Sequence, residues 1–284
     1  MVTEAKLESV DGYTIVDIEG AARLVGPVRS AKKVLQRTTT DLVRHATYSC
    51  AIHGLDASGA ATALNHDRTS DDQTPIATFA AEVRAWAKAN NFTGAISLGL
   101  AAEEIGETLS PTAANAAELA AASAVSCLSP DAQTIVIASN GDEPALQAAL
   151  ATRSATVEPD LAAALASGAD ALFVRGKTGM LDHAVLEDTS VKAIIGLQPL
   201  TTTARGLAVS SRAGAIVVPD FLCAAGPTLG ALGHSLDEIT TMTSAAMSKL
   251  EGAGVDMFVA ASKLAEDHLR TMTDNMPFGR PLAP

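Results

Sequence analysis

Aromatic side chains are scarce in this chain of 284 residues, which contains one Trp, two Tyr and six Phe. Single-stranded nucleic acids bind by stacking their bases on aromatic rings, so the composition excludes a base-stacking surface. Positive charge is also in deficit, with 20 Lys and Arg against 32 Asp and Glu and a net charge of -12. Such a chain repels phosphate backbones and anionic lipid, so we expect neither a nucleic-acid nor a membrane partner.

Cysteines are few and far apart. Cys50, Cys127 and Cys223 show no CxxC or Cys/His ligand spacing, which predicts reduced, buried thiols and no metal site. No uninterrupted run of about 18 apolar residues occurs, and residues 1–17 lack the basic and apolar segments of a signal peptide. We therefore expect a soluble, cytoplasmic protein.

Apolar residues make up 48% of the chain, which excludes disorder, and the length suits one large or two modest domains. Short apolar runs alternate with alanine-rich helical patterns, which predicts an α/β fold with a parallel sheet. The predicted strands are 13–18, 49–52, 60–64, 95–98, 133–139, 171–174, 191–196 and 215–218. The predicted helices are 30–46, which follows a break at 25–27, then 74–89 (Thr74 as its cap), 111–127, 144–151 and 160–167, with a largely helical tail over 228–272.

Three segments carry a resemblance to a known family. The sequence GAIVVPDFLCAAG at 214–226 resembles a VVPDxxxNAGG motif, and GVDMFVAASKLAED at 254–267 resembles AAxxLAExR. The sequence TYSCAIHGLDASGAAT at 47–62 is similar to MTYKNAxAGLxxGGAK. These motifs, in this order, are those of the Glu/Leu/Phe/Val dehydrogenases. We identify the chain as resembling the leucine/valine branch, as a shortened and catalytically degenerate member.

The resemblance implies two α/β domains and NAD(P)-dependent oxidative deamination of an amino acid. It implies an oligomerisation and substrate domain over 1–112 and a reduced Rossmann-like parallel-sheet domain over 113–227. Helices over 228–284 would then return to the first domain and pack over the junction. The resemblance also implies an oligomer, either of this chain alone or mixed with a dehydrogenase paralogue.

The positions that would carry the family's chemistry hold different residues here. The two lysines fall on Ser49 and Ala61, and residues 45–65 contain no lysine. The catalytic aspartate falls on Ser97 and the asparagine of the last motif on Ala224. Acid–base catalysis supplies roughly 10²–10⁴-fold in rate, and alanine cannot carry a proton. We therefore predict that no catalytic residue of the family is retained.

The expected dinucleotide-binding turn is also altered. In place of GxGxxG the chain has Ser139, Asn140, Gly141 and Asp142. We predict Asp142 as the helix cap, Glu143 in the first turn and Pro144 just inside the helix. Carboxylates at this turn oppose a pyrophosphate, so no cofactor is expected; NAD would bind only if the chain were still an oxidoreductase.

Glu158 has two interpretations. It is either the acid that binds the ribose of a dinucleotide, or part of a later strand of the family pattern. Its Val-Glu-Pro context favours the second interpretation, in which one strand and one helix have been deleted before it.

Four other residues are candidates for lining a ligand cleft. Arg175 and Lys177, in the sequence RGKTG, follow a predicted strand and either hold a small anion or form an ordinary surface turn. Arg29 lies in GPVR, which resembles a GGTR motif. His53 lies near the positions of the family's lysines. His53 and His66 could both bind a metal ion, but no third residue lies at a spacing that would complete a metal site.

Two functions remain open on these observations. The first is a pseudoenzyme that acts as a structural or regulatory partner or binds a different small molecule. The alternative is a functional oxidoreductase acting on amino acids, or an enzyme with other chemistry in the same cleft.

Overall fold

The computed structural model describes residues 2–109, 115–277 and 279–284. The chain divides into two compact units, and its C-terminal segment is shared between them. The first unit comprises Met1–Ala116, Pro227–His234 and Ala265–Arg280; the second comprises Ala117–Gly226, Ser235–Leu264 and Pro281–Pro284. The predicted helix over 111–127 corresponds to α4 (Ala116–Ser126), and residues 110–114 lie outside the described residues. No helix among the described residues is long and apolar enough to cross a membrane.

The first unit contains a mixed five-stranded sheet in the order β1-β2-β4-β3-β5. Its strands are β1 (Thr3–Lys6), β2 (Gly12–Val16), β3 (Leu24–Ala31), β4 (Ser58–Asn65) and β5 (Phe92–Leu98). β3 pairs in parallel with both β4 and β5, whereas β2 pairs antiparallel with β1 and β4. The helices are α1 (Gln36–Ile52), α2 (Thr74–Asn90) and the short α3 (Ala102–Ile105), followed by a 3-10 turn at Gly106–Thr108.

α1 and α2 cover opposite faces of this sheet. Ala60 and Leu64 of β4 belong to the apolar cluster that includes Phe79 and Val83 of α2. Ala61 and Ala63 belong instead to a cluster with Val43 of α1. Because successive strand residues point to opposite faces, this alternation places the two helices on opposite sides.

The contact between α1 and β4 is close because residue 59 is glycine. A Cβ at Gly59 would lie 1.8 Å from the carbonyl oxygen of Val43. A buried ion pair also joins α1 to Asp17, the residue after β2: Arg44 Nε lies 2.8 Å from Asp17 Oδ2, with 7% and 0% of the two side chains exposed. Arg44 Nη1 donates in addition to the carbonyl oxygen of Gly279 at 2.8 Å.

Four predictions in this unit differ from the structure. The predicted break at 25–27 lies inside β3, where the register shifts between Gly26 and Pro27; such a bulge accommodates a proline in an interior strand. The predicted strand 49–52 is the last part of α1, which begins at Gln36 rather than near residue 30. A short apolar run does not distinguish strand from helix by periodicity. In α2, Gln73 rather than Thr74 is the N-cap residue.

The second unit contains a parallel five-stranded sheet in the order β10-β9-β8-β6-β7. Its strands are β6 (Thr134–Ala138), β7 (Ser154–Glu158), β8 (Ala171–Val174), β9 (Ala193–Gly196) and β10 (Ile216–Val218). Its helices are α4, α5 (Pro144–Ala149), α6 (Leu161–Leu165), α7 (Ala204–Arg212), α8 (Asp220–Cys223) and α10 (Leu236–Ser248). α9 (Gly226–Ala231) and α11 (Met257–Met272) complete the described helices. The predicted α/β fold with a Rossmann-like parallel sheet is confirmed.

Candidate functional site

The order of strands in the second sheet defines where a ligand would bind. From β6 the chain passes through α5 to β7 on one side, and then through α6 to β8 on the other side of β6. Open α/β sheets bind ligands at the carboxyl ends of the strands, where the order reverses in this way. In this unit that point lies between the carboxyl ends of β6 and β8.

A side-chain network occupies this point. Glu143 is 8% exposed, and its Oε1 accepts a hydrogen bond from Ser139 Oγ at 2.9 Å. The same oxygen accepts the Nε–H of Arg175 in an ion pair. Arg175 is the first residue after β8, and its backbone N–H donates to Ala138 at the end of β6 at 3.0 Å. The turns after β6 and β8 are therefore joined by both backbone and side chains.

The start of α5 differs from the prediction. Glu143, rather than Asp142, is the N-cap residue, and its side chain makes no capping hydrogen bond because its carboxylate turns to Arg175 and Ser139 instead. Asn140, Gly141 and Asp142 are exposed, and the N–H of Gly141 donates to Ser139 Oγ at 3.3 Å.

Gly141 also lacks the features that a phosphate-binding glycine has. A Cβ at Gly141 would have no neighbouring atom within 4 Å, and the residue is not among the glycines with positive φ. Nothing in the chain itself therefore requires a glycine at this position, because neither a close approach nor a left-handed backbone occurs there.

Glu158 ends a strand that pairs directly with β6. Glu158 is the last residue of β7, which pairs directly with β6 and places Glu158 opposite Ala138. β6, α5 and β7 form one continuous βαβ unit, an arrangement that both interpretations of Glu158 allow. Glu158 therefore lies where a ribose-binding acid lies in a dinucleotide-binding sheet. Its Oε1 accepts the N–H of Asp160 at 2.9 Å.

The positions expected to carry the family's lysines are enclosed in the first unit. Ser49 lies on α1 with no exposed surface, and its Oγ has no hydrogen-bond partner among the described residues. Ala61 lies on β4, fully buried beside Ile15 and Val43. A lysine at the Ala61 position would have to extend its ammonium group out of an apolar core.

The other two positions that were compared with the family motifs, Ser97 and Ala224, are also part of the packed fold. Ser97 lies on β5, and its Oγ donates to the carbonyl oxygen of Leu100 at 2.6 Å. Ala224 follows α8 and is 5% exposed. Beside it, Ser123 Oγ donates to the carbonyl oxygen of Cys223 at 2.8 Å and accepts the N–H of Gly226 at 3.1 Å.

The four candidate ligand residues do not form one group. Arg29 and His53 belong to the first unit, and Arg175 and Lys177 to the second. Arg29 Nη1 donates to Thr39 Oγ1 at 2.6 Å, and burial lowers the pKa of its guanidinium. His53 follows α1, and its Nδ1–H donates to the carbonyl oxygen of Ser49 at 2.7 Å. Of these four residues, only Arg175 contacts a residue of the predicted dinucleotide turn, through its ion pair with Glu143.

Sequence reasoning missed a buried carboxylate at the same edge of the second sheet. Asp220 is the first residue of α8 and follows β10 after Pro219, and its Oδ2 accepts the N–H of Thr201 at 2.9 Å. Burial raises the pKa of Asp220 to about 7. Leu200, the residue before Thr201, is fully buried and has a left-handed backbone with φ of 59°, which is uncommon for a branched residue. The VVPD motif named Asp220 but gave no sign of its partner.

The described residues contain no group of three or more His, Cys, Asp or Glu side chains that could hold a metal ion. All three cysteines are unpaired and buried, and burial raises the pKa of the Cys50 thiol to about 12. These thiols are therefore protonated at neutral pH and unsuited to nucleophilic attack.

The two-sheet architecture is that of the amino-acid dehydrogenases. No protein-family model matches the chain, and no curated protein matches it either. Solved structures do match in fold. A hetero-hexameric glutamate dehydrogenase from Thermus thermophilus in its leucine-bound form is similar over 96% of this chain and 89% of its own, with a TM-score of 0.74 at 16% identity.

Two further structures agree. An L-tryptophan dehydrogenase from Nostoc punctiforme is similar over 95% of this chain and 96% of its own, with a TM-score of 0.67 at 14% identity. A glutamate dehydrogenase from Plasmodium falciparum is similar over 97% and 84%, with a TM-score of 0.69 at 11% identity. At these identities the likeness establishes the fold of the chain.

Proposed function

We propose that this protein is a pseudoenzyme with the amino-acid dehydrogenase fold, derived from the leucine/valine branch, that binds no nicotinamide dinucleotide. The observation that carries this proposal is the buried carboxylate of Glu143, held by Ser139 and Arg175 between the ends of β6 and β8. A dinucleotide pyrophosphate would have to approach this carboxylate. The Glu143–Arg175 ion pair fills the place that a pyrophosphate would need, so a dinucleotide would have to displace it, and the exposed carboxylate of Asp142 beside it adds like-charge repulsion.

The residues at this turn do not fit the cofactor in other respects. A pyrophosphate needs glycines that let the backbone approach it closely, and Gly141 is the single glycine in the turn. In the first unit, Ser49 and Ala61 supply no ammonium group for a substrate carboxylate. These features together support a role other than oxidative deamination.

We infer that the protein acts as a structural or regulatory partner, or as a binder of a different small molecule. The likeness to a hetero-hexameric dehydrogenase supports a partner role, in which this chain would assemble with an active dehydrogenase subunit. Co-purification from the native source with a subunit that retains both lysines would support the mixed assembly. Isolation as an assembly of this chain alone would contradict it.

The test of the central proposal is a titration of the purified chain with NADH and with NADPH, followed by nucleotide fluorescence and thermal unfolding. A cofactor at 100 times its Kd would stabilise the fold by about 2.7 kcal/mol. An active amino-acid dehydrogenase run in parallel sets the expected positive signal. We expect no saturable change, and no reduction of NAD or NADP when a panel of amino acids is supplied. Saturable binding or turnover would overturn the proposal.

One observation favours the alternative, an oxidoreductase acting on amino acids. Glu158 ends the strand next to β6, at the position of a ribose-binding acid. If the alternative holds, NADH binds and Glu158→Gln weakens that binding. The matched control is Glu187→Gln, which changes an exposed glutamate elsewhere in the same unit and should leave the affinity unchanged.

A further inference from the structure

Arg175 is held in a way that leaves both Nη groups of its guanidinium available. Its Nε–H is fixed on Glu143, and the backbone of Arg175 is fixed on β6. Among the described residues, Nη1 and Nη2 have no hydrogen-bond partner, and 33% of the side chain is exposed. An arginine anchored through Nε presents its two Nη groups as a planar fork, which matches the two oxygens of a carboxylate.

The loop that carries Arg175 is held by hydrogen bonds to residues outside it. The N–H of Gly176 donates to Gln198 Oε1 at 3.2 Å, and the N–H of Gly179 donates to the carbonyl oxygen of Leu200 at 2.8 Å. A Cβ at Gly176 would lie 1.7 Å from the sulfur of Met180, so the side chain of Met180 packs closely against the backbone of this loop. A site built here needs little ordering when a ligand binds.

Lys177 supplies a second cation two residues after Arg175. It is exposed and makes no ion pair with another described residue. Both cations follow β8 at the point where ligands of open α/β sheets bind. Glu143 and Asp142 place two carboxylates at the same turn, and these offset the two cations, so directed hydrogen bonds from Arg175 and not net charge would hold a ligand here.

We propose that Arg175 and Lys177 form a binding site for a small molecule with a single carboxylate group. The carboxylate accepts two parallel hydrogen bonds from Nη1 and Nη2 of Arg175, and the ammonium of Lys177 adds a point charge. This inference rests on the proposed function, because it names the class of small molecule that a chain without a dinucleotide would bind at the same edge of the sheet.

The experiment is a titration of the ¹⁵N-labelled full chain with sodium butyrate, with butyramide and with inorganic phosphate as separate probes. We expect saturable shifts of the Arg175 Nε–H and of the amides of residues 175–178 with butyrate. We expect no saturable shift with butyramide, which has the same shape without the charge, and weaker binding of phosphate than of butyrate. Binding of phosphate as tight as that of butyrate would overturn the single-carboxylate class.

Two variants test the residues. Arg175→Lys keeps the charge but loses the fork and should weaken butyrate binding by about tenfold. Lys177→Gln leaves the Arg175–Glu143 pair intact, so it tests the site in a fold that retains its network, and it should also weaken binding. The matched control is Arg212→Lys, an exposed arginine of the same unit, which should bind butyrate as the wild type does.

The outcomes separate this inference from the proposed function. No saturable shift with butyrate, or wild-type affinity in both Arg175→Lys and Lys177→Gln, would overturn the carboxylate site while leaving the pseudoenzyme proposal standing. Binding of NADH in the titration above would overturn the pseudoenzyme proposal, whatever butyrate does.

Discussion

Arg175 and Glu143, 32 residues apart in the chain, form an ion pair between the turns that follow β8 and β6. The pair lies where the order of strands reverses in the parallel sheet. In a dinucleotide-binding sheet this place is kept open for phosphate groups. In this chain it is filled by a carboxylate and the guanidinium that neutralises it.

Removal of the Glu143 charge should destabilise the second unit. Glu143→Gln keeps the shape of the side chain but weakens the bonds from Ser139 and Arg175, and we expect a loss of about 1–2 kcal/mol in the free energy of unfolding. Urea denaturation measures the change. Asp142→Asn alters the exposed neighbouring carboxylate and should be neutral. Equal stability of Glu143→Gln and the wild type would mean that the ion pair contributes nothing to the fold.

Asp220 should make stability depend on pH. Its pKa in the folded protein is raised from 3.8 to about 7 by burial, so the folded state holds the proton more tightly than the unfolded state does. This contribution to stability is fully present below the unfolded pKa, and it is lost as the pH rises through about 7.

The variant Asp220→Asn removes this titration. Between pH 4 and pH 7 the wild type should lose stability relative to the variant, by an amount on the order of a few kcal/mol. The difference between the two unfolding free energies, measured at several pH values, isolates the Asp220 contribution. Asp188→Asn, at an exposed position of the same unit, should follow the wild-type profile. Parallel profiles for Asp220→Asn and the wild type would contradict the prediction.

The buried pair between Asp17 and Arg44 should be strongly coupled. Loss of one partner leaves a buried charge without compensation, so Asp17→Asn or Arg44→Met alone should cost about 3–5 kcal/mol. The double variant should cost less than the sum of the two single changes, which a double-mutant cycle measures. Lys32→Met removes the exposed partner of Asp67 and should leave the unfolding midpoint unchanged. Strict additivity of the two single changes would refute the coupling.

Gly226 should not tolerate a side chain. A Cβ there would lie 2.0 Å from the carbonyl oxygen of Leu119, so Gly226→Ala must push α4 away from the start of α9. We expect a loss of about 1–3 kcal/mol, as for other overpacked sites, measured by thermal unfolding. Gly141→Ala, where a Cβ has no neighbour within 4 Å, should unfold at the wild-type temperature. A matching Tm for Gly226→Ala would show that the close contact is not required.

Much of the second sheet could be predicted because its strands are short apolar runs bounded by polar residues. The predicted strand 171–174 has the same bounds as β8, and 133–139 encloses β6. The strands and helices of the first unit were harder to predict. β3 contains Pro27 and Gly26, which favour a turn locally, and only its pairing with β4 and β5 keeps the segment extended. Residues 49–52 continue α1, which packs closely on β4 at Val43 and Thr47.

The sequence by itself determined much of the alternation of strands and helices, the absence of lysine from residues 45–65, and the single glycine of the turn at 139–142. These are local properties, carried by residue type and order. Tertiary structure alone decided that Arg175 forms an ion pair with Glu143, that Glu158 ends the strand beside β6, and that Asp220 accepts a hydrogen bond from Thr201. Each of these contacts joins residues distant in the chain, and only the parallel order of the strands brings their carboxyl ends to one edge.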